Sequence, residues 1–205
     1  MTADRATGPA HPLIRALALW GTVIAAMWVL LFIDWITPTA LTQWGIVAGT
    51  ADGIFPGLIA APFLHAGGGH LISNMVPLAV MGTIAALRDW RAMWIALAVI
   101  VVASGIGVWL LTDTGRPTVG ASGVVFGLFG YLLGRGVFLR RFGDIAITVL
   151  LVLVYGSMVW GIFPSQPHIS WQAHLFGFLG GLATAFALAR SGNETRRRGG
   201  APGAG

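Results

Sequence analysis

The sequence predicts an all-α membrane protein, a bundle of six transmembrane helices, and three observations lead there. Of 205 residues, 56% are hydrophobic and only 9% charged, whereas soluble domains carry about 25% charged residues. The mean hydropathy is +0.81, so a bilayer suits this chain better than water. Apolar runs close to the ~20 residues that a spanning helix needs recur six times. The twelve basic residues, all arginine, sort almost entirely to one side of such a bundle.

The elements follow in chain order. Residues 1–12 are polar and mixed in charge and read as an N-terminal tail. Leu13–Ile36 is the first span; its 24 residues are too many for the core of a cleavable signal peptide, so it is retained. Thr37–Gly69 is a long connection with Asp52 among Trp44, Ile46, Ile54, Phe55, Leu58 and Ile59, and is expected to lie partly in the membrane interface. The remaining spans are His70–Leu87 (short, carrying Pro77), Ala92–Leu111, Ala121–Leu139, Ile145–Phe163 and Trp171–Ala189. Barrel strands of about ten residues with alternating polarity are absent. Continuous helices satisfy every backbone amide within lipid. The bundle is therefore expected over 13–189, with a Gly- and Arg-rich, disordered cytoplasmic tail at 190–205.

In a six-span arrangement Arg5, Arg15, Arg88, Arg91, Arg135, Arg140, Arg141, Arg190, Arg196, Arg197 and Arg198 fall on one side and Arg116 alone on the other. Cytoplasmic flanks keep positive charge, so both termini are expected in the cytoplasm, with the protein in a bacterial plasma membrane. Scattered arginines without an aromatic-lined groove argue against nucleic acid as a partner, despite a sequence pI near 11.3. The absence of cysteine excludes disulfides, thiolate nucleophiles and Cys-ligated zinc.

Spans two, four and six all begin at the same face, and the out-of-place polar residues sit at those three starts: His70 and Asn74, Ser122, and His174. A lone serine in a span usually bonds its own helix, and a lone interfacial histidine is often a headgroup-level residue. Their coincidence at one depth points to chemistry. Gly120-Ala121-Ser122-Gly123 flanks a nucleophile with residues that permit close backbone approach. At a helix start, free amides and the positive end of the helix dipole favour an oxyanion. His174 is a base able to take the serine proton at neutral pH.

Gly177 and Gly181 follow His174 along its helix side, facing small residues Gly127 and Gly130 of span four, which lets the two helices approach closely. No carboxylate is placed to orient His174, so a dyad is expected rather than a triad. Phe126, one turn after Ser122, is placed to stack on the imidazole. His70 and Asn74, four residues apart on one helix face, offer neutral donors to an oxyanion. His65, His70 and His174 come without HExxH and without a carboxylate, so no metal and no cofactor is expected.

With these residues the chain resembles the rhomboid family of intramembrane serine proteases. The matching pieces are His65-Ala-Gly-Gly-Gly-His70-Leu-Ile-Ser-Asn74, Gly120-Ala-Ser-Gly123 and Ala173-His174-Leu-Phe-Gly177-Phe-Leu-Gly180-Gly181, in the family's order and on its spans two, four and six. The resemblance implies Ser122 as nucleophile, His174 as general base, and His70, Asn74 and the Ser122 amide as oxyanion hole. Gly120, Gly123, Phe126, Gly177 and Gly181 would support them. It implies transmembrane or membrane-tethered protein substrates, cut near the outer membrane boundary at small residues in weakly helical segments. It also implies that span five and the Phe163–Ser170 loop, with Gly161, Pro164 and Pro167, move to admit them. Two departures stand out: Trp44 has no arginine after it in the first outer loop, and Phe126 stands where many bacterial members have tyrosine. The competing readings are a small polytopic transporter, which calls for charge along a continuous path, and a non-proteolytic relative that escorts membrane clients. Such relatives usually lack the serine or the histidine.

Overall fold

The computed structural model describes residues 11–38, 40–49, 51–113, 115–164 and 169–199, giving only the backbone at 51–52 and 193–199. Six helices in it are long and apolar enough to cross a membrane. The protein is an integral membrane protein with six spans, formed by α1 (Pro12–Ile36), α4 (Gly68–Arg88), α5 (Trp90–Leu111), α6 (Ser122–Leu139), α7 (Phe142–Tyr155), whose span runs on to Ile162, and α8 (Trp171–Gly199), with the short α2 (Ala51–Ile54) and α3 (Gly57–Ala60) between the first two.

The start signals are local. Pro12 at the first turn of α1 wastes no amide, with His11 as its cap. Asp89 ends α4 and caps α5 by accepting from the Ala92 amide at 3.0 Å, making a hairpin of two spans without a loop between them. Ser170 does the same for α8, its Oγ accepting from the Ala173 amide at 3.3 Å. Pro77 lies inside α4 without ending it. The backbone of α8 continues to Gly199, past the Ala189 end expected from hydropathy; the tail from 200 and the first ten residues lie outside the described residues.

At the centre stands α6: 72% of its apolar window is buried, against 6% for the fifth span. Its partner is α8, and glycine makes the approach possible. A Cβ on Gly177 would collide with the carbonyl of Gly123, one on Gly181 with that of Gly127, and one on Gly130 with that of Phe178. Helices meeting through backbone surfaces gain van der Waals contact where lipid gives no hydrophobic drive. Leu71, Leu78, Met81, Met93, Ile100 and Leu128, all fully buried, fill the space among α4, α5 and α6.

The fifth span differs from a uniform helix. After Tyr155 the backbone tightens into a 3₁₀ segment, Gly156–Ile162, before the connection to α8. At its other end Asp144, 1% exposed, accepts from Nε of Arg88 at 3.0 Å and Nε of Arg135 at 3.1 Å, and Arg135 also donates to the Tyr131 hydroxyl at 3.1 Å. This clasp pins the foot of α7 to α4 and α6.

The long connection is tied to the bundle by backbone hydrogen bonds. Ile46 and Thr118 exchange two backbone hydrogen bonds as an isolated antiparallel bridge, and the Gly120 amide donates to the Ala61 carbonyl at 2.8 Å. Ile46 and Ala61 thereby strap down the segment that leads into α6.

Candidate functional site

The strapped segment ends at the start of α6. Gly120 has φ +125°, a left-handed conformation that side chains other than glycine's rarely adopt. It also has no room for one, since a Cβ there would lie 2.6 Å from Cε1 and 2.8 Å from Nε2 of His70. Glycine is thus required twice, for the turn and for the imidazole packed on it. Ser122 follows as the first residue of α6, half-buried, where the first amides of a helix lack partners within it.

His174 lies in the second turn of α8, held there by the Ser170 cap and by Gln172, whose Nε2 donates to the Leu111 carbonyl at 3.0 Å. Its ring is 6% exposed and stacks flat on Phe126, with centroids 4.0 Å apart and planes at 6°. Its Nδ1 lies 2.8 Å from the carbonyl oxygen of Gly161, in the 3₁₀ segment. On α4, Asn74 is 5% exposed and its amide donates to the His70 carbonyl at 2.8 Å, which leaves its second N–H available.

Ser122, His174, His70, Asn74 and Phe126 all line one open cavity of about 1330 Å³, whose wall also includes Asp113, Arg116, Tyr155 and Trp171. Among the described residues no hydrogen bond joins Ser122 to His174, although both line the cavity. Gly123, Gly177 and Gly181 do not line it, and act instead as the close-packed seam that sets α8 against α6. Among the described residues no group of three or more His, Cys, Asp or Glu is arranged to hold a metal ion.

Sequence reasoning weighed His65 only as a metal ligand. The structure gives it another place, 2% exposed, with Nδ1 3.3 Å from the Phe63 carbonyl and Nε2 accepting from the Ala121 amide at 3.4 Å. The carbonyl can only accept, so Nδ1 carries the proton and Nε2 is the acceptor. Burial pushes its pKa down to about 4, the neighbouring His70 adding to the shift and the Phe63 bond opposing it. Ser104 was also missed; its hydroxyl donates to the Ala173 carbonyl at 3.1 Å and packs against Gly123, tying α5 to both α6 and α8. The Ser170 cap had a readable signal, a serine just before an apolar run. The Gly161 contact had none, being made by backbone.

Comparison with known proteins places the chain beside the following sequences. The Rhomboid domain family matches residues 53–191, from α2 into the last span. An uncharacterised Mycobacterium tuberculosis protein, Rv1337, is 35% identical over 184 residues, spanning 85% of this chain and 76% of the relative. RHOMBOID-like protein 5 of Arabidopsis thaliana is 31% identical over 136 residues, 64% of this chain and 43% of the relative. YdcA of Bacillus subtilis is 29% identical over 151 residues, 71% of this chain and 73% of the relative.

Proposed function

Since the chain belongs to the rhomboid family, which includes serine proteases, we propose that it is an intramembrane serine endopeptidase whose substrates are transmembrane or membrane-tethered proteins. The observation that carries this reading is the single cavity lined at once by Ser122, His174, His70 and Asn74. Each is of the type that acyl transfer requires, and they come from three different helices.

In the proposed mechanism the Ser122 oxygen attacks the scissile carbonyl while Nε2 of His174 takes its proton. Negative charge collects on the former carbonyl oxygen, towards the Ser122 amide, the His70 imidazole and the free N–H of Asn74. One preorganised donor is typically worth about 3–4 kcal/mol at that stage. The imidazolium then protonates the departing amine, leaving an ester on Ser122. Water entering the cavity loses a proton to His174, attacks the ester, and restores the free hydroxyl as the acid product leaves. The polar mouth at Asp113 and Arg116 supports water access.

The protease domain is proposed to span 13–189. With both termini in the cytoplasm, as the arginine bias suggests, the cavity faces the outer leaflet and cleavage falls near the outer boundary. The test is cleavage in liposomes of single-span proteins carrying small residues at that depth. Wild type should produce two fragments, and Ser122→Ala and His174→Ala neither. Fragments from the Ser122→Ala protein would overturn the assignment.

A further inference from the structure

A serine–histidine pair works only if the imidazole shows the serine a bare nitrogen, and a ring free to turn has no reason to keep one tautomer. In triad enzymes a buried carboxylate fixes the ring by accepting from Nδ1. Among the described residues no carboxylate bonds His174; the atom facing its Nδ1, at 2.8 Å, is the Gly161 carbonyl oxygen. That oxygen has lone pairs and no hydrogen, so the shared hydrogen belongs to Nδ1. We propose that the Gly161 backbone carbonyl is the positioning group of this site, holding His174 as the Nδ1–H tautomer with Nε2 bare towards the cavity. The proposal rests on the reading of Ser122 and His174 as nucleophile and base.

Independent features of the same corner agree. Phe126 lies flat on the imidazole, planes at 6°, which limits tilting but not rotation of the ring within its own plane. The Gly161 bond supplies the missing in-plane direction. Only glycine lets the backbone come so near: a Cβ at 161 would lie 2.8 Å from Cζ of Phe126 and 3.2 Å from Nδ1 of His174. The carbonyl is also free to serve, because it lies in the last turn of a helical segment, where carbonyls run out of intrahelical donors.

One consequence concerns control. The acceptor belongs to the end of the fifth span, the span whose apolar window is 6% buried, and so the one that least packing holds in place. When Gly156–Ile162 is seated, the base is set. A shift of that segment would remove the acceptor of His174 and release the tautomer.

The experiment is ¹⁵N spectroscopy of histidine-labelled full-length protein in lipid nanodiscs, with the His174 signals assigned by difference from His174→Gln. The expected wild-type result at neutral pH is a protonated Nδ1 and an unprotonated Nε2. In Gly161→Ala the tautomer should become mixed, and kcat for peptide cleavage should fall, by less than the roughly 10⁴-fold that a wrong tautomer costs a triad enzyme because the displaced carbonyl is still present, with KM little changed. An Nε2–H tautomer in wild type overturns the inference, as does a Gly161→Ala protein with wild-type tautomer and kcat. Should that variant fail to fold, the wild-type spectrum decides. Nε2–H in an active enzyme would sink this inference alone; Nδ1–H in a wild type that cleaves nothing would sink the protease reading alone.

Discussion

Adding one methyl group to Gly177 tests whether the seam between α6 and α8 sets the geometry of the site. The new Cβ would collide with the carbonyl oxygen of Gly123 and lie 3.0 Å from its carbonyl carbon and 3.3 Å from its Cα. All three are backbone atoms of α6, one residue beyond Ser122, so no side chain can swing aside. The helices must part, on the order of 1 Å, and a misplacement of that size between reacting groups costs about 10²-fold. That is ~2.7 kcal/mol of barrier, beside the roughly 1–3 kcal/mol of stability lost in overpacking a tight interface. The assay is the second-order rate of labelling by a fluorophosphonate, which reports the Ser122–His174 pair without substrate-binding effects. Gly21→Ala on α1 is the control, since a Cβ there meets nothing within 4 Å. Labelling of folded Gly177→Ala at the Gly21→Ala rate would refute the argument that close helix approach aligns the pair.

Four further predictions follow from other contacts of the structure. His65→Leu strands the buried Ala121 amide and should cost about 1–3 kcal/mol, while His65→Gln, which keeps an acceptor at the Nε2 position, should recover part of it; equal thermal midpoints for the two would contradict the bridge. Because the folded pKa of His65 lies below its unfolded value, the unfolded chain binds the extra proton between them, so this contribution to stability falls as pH drops from 6.5 to about 4. Thermal melts over that range should lose part of their pH slope in His65→Gln, and an unchanged slope would count against it. Asp144→Asn leaves the buried Arg135 charge uncompensated and should destabilise by about 3–5 kcal/mol, measurable by reversible unfolding in micelles; a loss under 1 kcal/mol would mean the clasp is incidental. Phe126→Leu removes a stacked pair worth about 0.5–1.5 kcal/mol and should slow labelling by up to about tenfold, whereas Phe126→Tyr should label as wild type.

Much of this was legible in the sequence because the bilayer enforces simple rules. A span must be long and apolar, so the α1, α5 and α6 boundaries fall within a residue or two of the apolar runs. The same depth argument brought the starts of spans two, four and six together, and the i, i+4 spacing of Ser122 and Phe126 pointed that ring at the imidazole. Glycines at 177 and 181 were readable as a seam because small residues are what close helix packing demands. What stayed hidden is made by backbone or by long-range pairing. The Gly161 carbonyl carries no side-chain signature, and the Ile46–Thr118 bridge joins segments 72 residues apart that are unremarkable alone. His65 and Asp144 were visible as residues, but their partners Ala121, Phe63, Arg88 and Arg135 are fixed by tertiary placement. For Asp144 nothing in the local sequence distinguishes a buried carboxylate from a solvated one.

The central claim is that Ser122 is a nucleophile activated by His174 across the shared cavity. Its most direct measurement is fluorophosphonate labelling of the membrane-reconstituted protein, with the adduct mapped by peptide mass spectrometry. The account predicts one phosphonylated serine, Ser122, and labelling abolished in Ser122→Ala and strongly slowed in His174→Ala. A folded wild type that takes no label, or one labelled equally well without Ser122, would contradict it.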